Sequence, residues 1–199
     1  MRYALFPLHT VLFPGSVLPL QIFEQRYIRL VTDCMRKQHG FVTVLISEGK
    51  EVGDTPEIYN VGCYVDITDW ETLPNGLLGI TIEARHRCRL FNLGVKDDGL
   101  LMAEAESIDT DTSDEPDTGR LPERYLPLAD TLEQLLRHPF AEEQRQRVNF
   151  QSARDVCYRL CELLPISNEQ KQILLEVPTL DELLDQTSVQ IQALQKQAR

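Results

Sequence analysis

Apolar and polar positions along this chain change period several times, and each change marks an element. In residues 3–23 apolar side chains form two runs split by Pro14-Gly15, with further prolines at 7 and 19. Proline fixes φ and removes a backbone donor, so this pattern predicts a strand, a tight loop and a second strand pairing with the first. From Glu24 the period lengthens. Tyr27, Leu30, Val31, Cys34 and Met35 recur at three- and four-residue spacing, which predicts an amphipathic helix to about Gln38, closed by His39-Gly40. Residues 41–47 (FVTVLIS) are apolar or β-branched at nearly every position, as in a strand covered on both faces.

A polar connection is expected over 48–60, and then strict alternation sets in. Val61, Cys63, Val65 and Ile67 mark one face of a strand as inward, with Tyr64, Asp66, Thr68 and Trp70 on the other. Pro74-Asn75-Gly76 predicts a turn, and Leu78, Ile80 and Ile82 alternate on a return strand continuing through residues 85–91. Residues 100–108 predict one more strand. The next stretch, DTDTSDEPDTG, has no apolar anchor and reads as a solvated linker. Beyond it the spacing is helical. One stripe is Leu121, Tyr125, Leu128, Leu132, Leu135 and Leu136, ended by His138-Pro139; a second is Ala153, Val156, Cys157, Leu160, Leu163 and Leu164, ended by Pro165. Ser167 with Gln170 and Thr179 with Glu182 have capping-box spacing and predict two further helix starts. The expected organisation is therefore α+β: a β-rich part with one long helix over 1–108, an acidic linker over 109–119, and a helical bundle over 120–199.

The opening run also carries a longer pattern: Pro7-Leu8, VLFPG over residues 11–15, Pro19-Leu20, Ile22-Phe23-Glu24, Arg26-Tyr27 and Leu30-Val31. In that order and spacing these residues resemble the start of the amino-terminal domain of the Lon ATP-dependent proteases. Residues 61–90 resemble that family's second motif, with Tyr64 in its alanine place, Asn75 in its aspartate place and Ala84 in its glycine place. Asparagine tolerates the left-handed turn as aspartate does, whereas Ala84 argues against a bulge that needs glycine. Residues 165–184 resemble the family's helical part. The resemblance implies a PUA-like pseudo-barrel followed by a helical bundle, in a stand-alone domain that binds polypeptide or a protein partner. It implies no catalysis.

Charge and cysteine usage narrow the remaining classes. With 199 residues, a net charge of −11 and a sequence pI near 4.8, the chain repels phosphate backbones and anionic lipid, so neither nucleic acid nor a membrane is an expected partner. Five cysteines scattered through apolar runs suit reduced core thiols and a cytoplasmic location. The apolar opening segment is broken by prolines 7, 14 and 19 and by Gly15, which opposes both a spanning helix and a secretory leader.

A phosphate loop needs G-x-x-x-x-G-K-[ST]. Gly49-Lys50 is followed by Glu51 and lacks the upstream glycine, so no nucleotide, other cofactor, metal or catalytic residue is expected. The rival is a hydrolase or transferase with a cleft between the halves, using His86, Cys88 or a carboxylate. A further alternative is RNA recognition by a PUA-like barrel, which the acidic charge opposes. Cys157 and Cys161, four apart on a helix, could supply half a zinc site but fall in an apolar stripe.

The candidate binding residues are Phe13, Pro14, Trp70, Leu73, Arg85 and Arg87. Phe13-Pro14 either protrudes as an apolar tip or tucks beneath the helix. Trp70, beside Leu73, is either an aromatic anchor for a partner or a packing residue. Arg85, Arg87 and Arg89 alternate along one strand and either form a patch for an acidic peptide or phosphate or pair with nearby carboxylates such as Glu83 and Asp66.

Overall fold

Alternation in the first half resolves into six strands: β1 (Arg2–Leu8), β2 (Val17–Ile22), β3 (Phe41–Glu48), β4 (Glu57–Thr72), β5 (Leu78–Val95) and β6 (Leu101–Ser107), with α1 (Gln25–Lys37) between β2 and β3. They are seen in a computed structural model that describes residues 1–53, 55–109, 122–137 and 142–197. The chain divides into two compact units, Met1–Asp109 and Thr110–Arg199. The expected acidic stretch beyond Asp109 lies outside the described residues.

The strand order is β2-β5-β4-β3-β1-β6, with β5 also paired to β6. That extra pairing closes β5, β4, β3, β1 and β6 into a ring and leaves β2 as an edge strand on the first part of β5. The two opening strands are therefore not partners. β1 runs parallel to β3, with Leu5 opposite Val42, and antiparallel to β6, while β2 joins β5, with Leu18 opposite Ile82. Parallel neighbours need a crossover of a dozen or more residues, and the loop 9–16, β2 and α1 supply it. Pro19 falls on β2, the edge strand, where a missing N–H is tolerated.

Inside the ring, Leu5, Val42, Val44, Cys88, Leu90, Leu101, Ala103 and Ala105 form one buried cluster. α1 covers part of the outside with the stripe its spacing predicts: Tyr27, Leu30, Val31 and Cys34 are buried, and Phe6 stacks between Tyr27 at 4.2 Å and Phe41 at 5.8 Å. The helix does not end on Gly40. Gln38 takes the left-handed position, with φ 54°, and Gly40 serves a different need, because a Cβ there would lie 1.7 Å from the Val65 carbonyl oxygen.

β4 begins at Glu57, inside the expected loop, and its pairing with β5 shifts register twice. Tyr64 faces His86 while Val65 faces Ala84, so Arg85 is an extra residue; Ile67 faces Ile82 while Asp69 faces Thr81, so Thr68 is another. The first bulge forms beside Ala84, whose backbone is not left-handed. No glycine is needed there.

The second unit contains a 3-10 turn at Glu123–Tyr125 and helices α2 (Leu126–Leu136), α3 (Glu142–Arg147), α4 (Ala153–Leu163), α5 (Asn168–Glu176) and α6 (Leu180–Gln197). α3 has no counterpart among the expected stripes. Tyr125, Leu128, Leu132 and Leu136 are buried as expected, but Leu135 is partly exposed; Leu121 and His138-Pro139 lie outside the described residues. Val156, Cys157, Leu160 and Cys161 make α4 the apolar centre of this unit. Ser167 and Gln170 form the predicted reciprocal capping box, and the Thr179 hydroxyl accepts from the Glu182 N–H at 3.3 Å. No helix among the described residues is long and apolar enough to cross a membrane.

Candidate functional site

The β4–β5 turn is closed by its own backbone. Gly76 N–H donates to the Leu73 carbonyl at 2.8 Å, Leu73 N–H donates to Leu77 at 2.9 Å, and the Asn75 side chain accepts from Leu77 N–H at 3.1 Å. Trp70, just before this turn, is 58% exposed. Strand alternation alone assigns it to the polar face, but the bulge at Thr68 reverses that assignment. Trp70 stands opposite Ile80, which in turn stands opposite Leu20, and directly opposed residues share a face. Trp70 therefore continues the apolar row of Ile67, Ile80 and Ile82. Leu73 instead packs over Gly79, within 3.0 Å of where a side chain would begin, on the opposite face. The structure does not bring Trp70 and Leu73 together.

Phe13 is not a protruding tip. It is fully buried, its N–H donates to the Ser16 hydroxyl at 3.1 Å, and its carbonyl accepts from Ser16 N–H at 2.9 Å. Gly15 N–H donates to Ala84 at 2.7 Å and Ala84 N–H to Ser16 at 2.9 Å, stitching the loop to β5. Burying a phenyl ring stabilises by roughly 2–3 kcal/mol, so Phe13 is core. Pro14, half-buried on the same loop, is held with it.

The three arginines do not share one surface. The bulge at Arg85 puts it out of phase with Arg87. Arg85 pairs with Asp66 at 2.8 Å and Glu83 at 2.7 Å, the carboxylates expected from the sequence. Arg87 is only 2% exposed; its Nε donates to Asp109 Oδ1 and its backbone N–H to Oδ2, both at 2.6 Å. Asp109, the first residue of the expected linker, is thus fastened to the strand unit. Arg89 is exposed opposite Glu106.

The thiols of the enzyme reading are placed against nucleophilic reaction. Burial pushes the Cys88 thiol up to about 11, and Cys34 to about 12, the reverse of what a thiolate nucleophile requires. His86 shares a face of β5 with Cys88, and its ring stacks at 5.0 Å on Tyr64, which packs against the interior cluster that holds Cys88. In the second unit burial raises Cys157 to about 12 and Cys161 to about 11, and the Cys161 sulfur lies 3.5 Å from the Thr187 hydroxyl. Both are packed as apolar groups. Metal binding needs thiolates, which this environment disfavours.

Two features escaped sequence reasoning. Phe23, at the end of β2, is half exposed. A cleft of about 230 Å³ also opens between α1, β1, β6 and the β5–β6 turn, lined in part by Arg2, Arg29, Lys37 and Lys96. Only the fold assembles these cations; the one local signal is Arg29, Asp33 and Lys37 at four-residue spacing on α1.

Comparison with known proteins gives a consistent picture. A profile of the family described as the ATP-dependent protease La (LON) substrate-binding domain matches residues 2–192. The chain is 29% identical over 183 residues to Lon protease 2 of Desulfotalea psychrophila, covering 89% of this chain and 23% of the relative. It is 26% identical over 100 residues to Lon protease of Halothermothrix orenii, covering 50% and 13%. It thus spans about a quarter or less of these curated relatives. The crystal structure of a Lon N-terminal domain protein from Xanthomonas campestris superposes with a TM-score of 0.75 at 31% identity, covering 95% of this chain and 98% of that one. The N-terminal domain of a Mycobacterium avium complex Lon protease matches with a TM-score of 0.60 at 14% identity over 94% and 98%, a likeness of fold.

Proposed function

Because the chain belongs to the family of LON substrate-binding domains, we propose that it is a recognition module that binds exposed polypeptide segments and makes or breaks no bond. The observation that carries the reading is Trp70, a large aromatic left 58% exposed at the end of an otherwise covered apolar row. Aromatic anchors of this kind dominate recognition surfaces, and an unfolded segment offers the apolar side chains to cover one. The raised thiols support a non-catalytic role. The net charge of −11 favours protein over nucleic acid as partner. Recognition of this kind needs no nucleotide, and reduced core thiols suit the cytoplasm.

The test is capture of reduced, carboxamidomethylated α-lactalbumin, a permanently unfolded probe, by wild type and by Trp70→Ala. An aromatic side chain buries roughly 150–250 Å², so the exposed part of Trp70 offers about 90–145 Å². At about 25 cal/mol per Å² its full cover is worth at most about 2–4 kcal/mol. The substitution is expected to weaken capture at least about tenfold while lowering the melting temperature little. A large loss of stability with unchanged capture would assign Trp70 to packing instead.

A further inference from the structure

The cleft beside α1 has an apolar floor and a cationic rim. Leu30 and Leu100 are buried in it, and Ala4 and Met102 are half-buried. Arg2, Arg29, Lys37 and Lys96 stand against only two carboxylates, Asp33 and Asp98. Both carboxylates are already engaged. Asp98 takes Arg29 at 3.2 Å and the Leu100 N–H at 3.2 Å; Asp33 takes Arg36 at 2.8 Å and lies 4.0 Å from Lys37. Glu104, opposite Arg2 in the β1–β6 ladder, accepts from the Asn92 amide at 3.1 Å. Arg2 and Lys96 form no ion pair among the described residues. A chain of net charge −11 therefore keeps a local excess of two positive charges, four cations against two carboxylates, above an apolar floor.

We propose that this cleft binds a peptide in which an apolar side chain lies next to a carboxylate, the apolar group on the Leu30–Leu100 floor and the carboxylate between Arg2 and Lys96. The inference rests on the recognition reading above and names a chemistry for the ligand. At about 230 Å³ the space is below the roughly 300–1,000 Å³ of sites for drug-sized molecules, which suits one side chain with its acid group. Arginine offers a planar fork for a carboxylate and lysine a mobile point charge. Since the molecule as a whole repels acids, attraction has to come from this local excess, and added salt screens it over about 8–10 Å at physiological ionic strength. A chain terminus and an internal Asp or Glu both supply the required carboxylate.

The experiment is a ¹H–¹⁵N titration of the full chain with three probes: acetyl-glycyl-glycyl-leucine as its free acid, the same peptide as its amide, and acetyl-glycyl-glutamyl-leucine amide. At least one acid-bearing probe is expected to shift the amides of Arg29, Lys37, Lys96 and Met102, and the neutral amide is not. The double variant Arg2→Met, Lys96→Met, both at exposed positions, is expected to weaken that binding roughly tenfold, and raising NaCl from about 0.05 to 0.5 M to weaken it several-fold. Binding of the free acid alone assigns the carboxylate to a chain end; binding of the glutamyl amide alone assigns it to an internal residue. Equal binding of the neutral amide, an unaffected double variant, or no shift with any probe overturns the proposal. If the peptides fail while unfolded lactalbumin still binds through Trp70, only this proposal falls. If lactalbumin fails as well, the recognition reading falls with it.

Discussion

Replacing Gly40 with alanine would put a methyl group 1.7 Å from the Val65 carbonyl oxygen and 2.9 Å from the Tyr64 ring. Neither neighbour yields easily. Gly40 N–H donates to the Tyr64 hydroxyl at 2.6 Å, and the next residue, Phe41, pairs with Val65 in the β3–β4 ladder. Relief requires the start of β3 to part from β4. Overpacking against side chains costs about 1–3 kcal/mol; here the obstacle is backbone, so Gly40→Ala is expected to cost about 3 kcal/mol or more, out of the 5–15 kcal/mol typical of a domain. A glycine needed only to end a helix would cost about 1–2 kcal/mol to replace. Gln38, which does end α1 with φ 54°, makes the complementary case. Gln38→Gly removes the strain and is expected to stabilise by up to about 1 kcal/mol. Urea unfolding followed by far-UV circular dichroism and by tryptophan emission reads both variants, since Trp70 is the sole tryptophan and lies in the unit concerned. With a slope of about 1–3 kcal/mol per molar urea, Gly40→Ala should lower the midpoint by about 1–3 M. A shift under about 0.5 M, or a destabilising Gln38→Gly, would refute the reasoning.

Three further outcomes are expected. Asp109→Ala deletes two charge-assisted bonds to the buried Arg87 and should lower stability by about 2–4 kcal/mol, against less than about 1 kcal/mol for Asp66→Ala at the exposed Arg85; both are read from urea midpoints. All five cysteines are buried, so Ellman's reagent at neutral pH should find no fast-reacting thiol in the native protein and five after denaturation; one thiol that reacts within seconds would contradict the placement. Folding raises Cys34 and Cys157 from 9.0 to about 12 and Cys88 and Cys161 to about 11. The unfolded chain therefore releases these protons first. Stability from this source is intact below about pH 9 and is lost as pH rises from 9 toward 12, which unfolding midpoints measured across that window would show.

What the sequence discloses is local and periodic. The α1 stripe, the burial of Val61, Cys63 and Val65, the Asn75 turn, the Ser167 capping box and the pairing of Arg85 with Asp66 and Glu83 all follow from spacing within one or two neighbouring elements. The register nevertheless puts Val61, Cys63 and Val65 on the outer face of the ring and turns Tyr64 toward its interior. What it hides is register and distant adjacency. Nothing in residues 61–70 announces that Thr68 is an extra residue, yet that one insertion moves Trp70 to the opposite face from the one alternation assigns. The same holds at Arg85, which separates it from Arg87. Gly40 has the sequence context of a helix stop and a structural reason that lies in Val65, on another strand. VLFPG has the composition of an exposed turn, and only its bonds to Ala84 show why Phe13 points inward. The cationic cleft draws on positions 2, 29, 37 and 96, which no window along the chain contains together.

The most direct measurement is isothermal titration of the chain with reduced, carboxamidomethylated α-lactalbumin in the absence of nucleotide, followed by mass spectrometry of the recovered ligand. Saturable binding, at least about tenfold weaker for Trp70→Ala, with the ligand returned at unchanged mass, is the expected result. Absence of binding, or a ligand that comes back cleaved or otherwise covalently altered, would contradict recognition without catalysis.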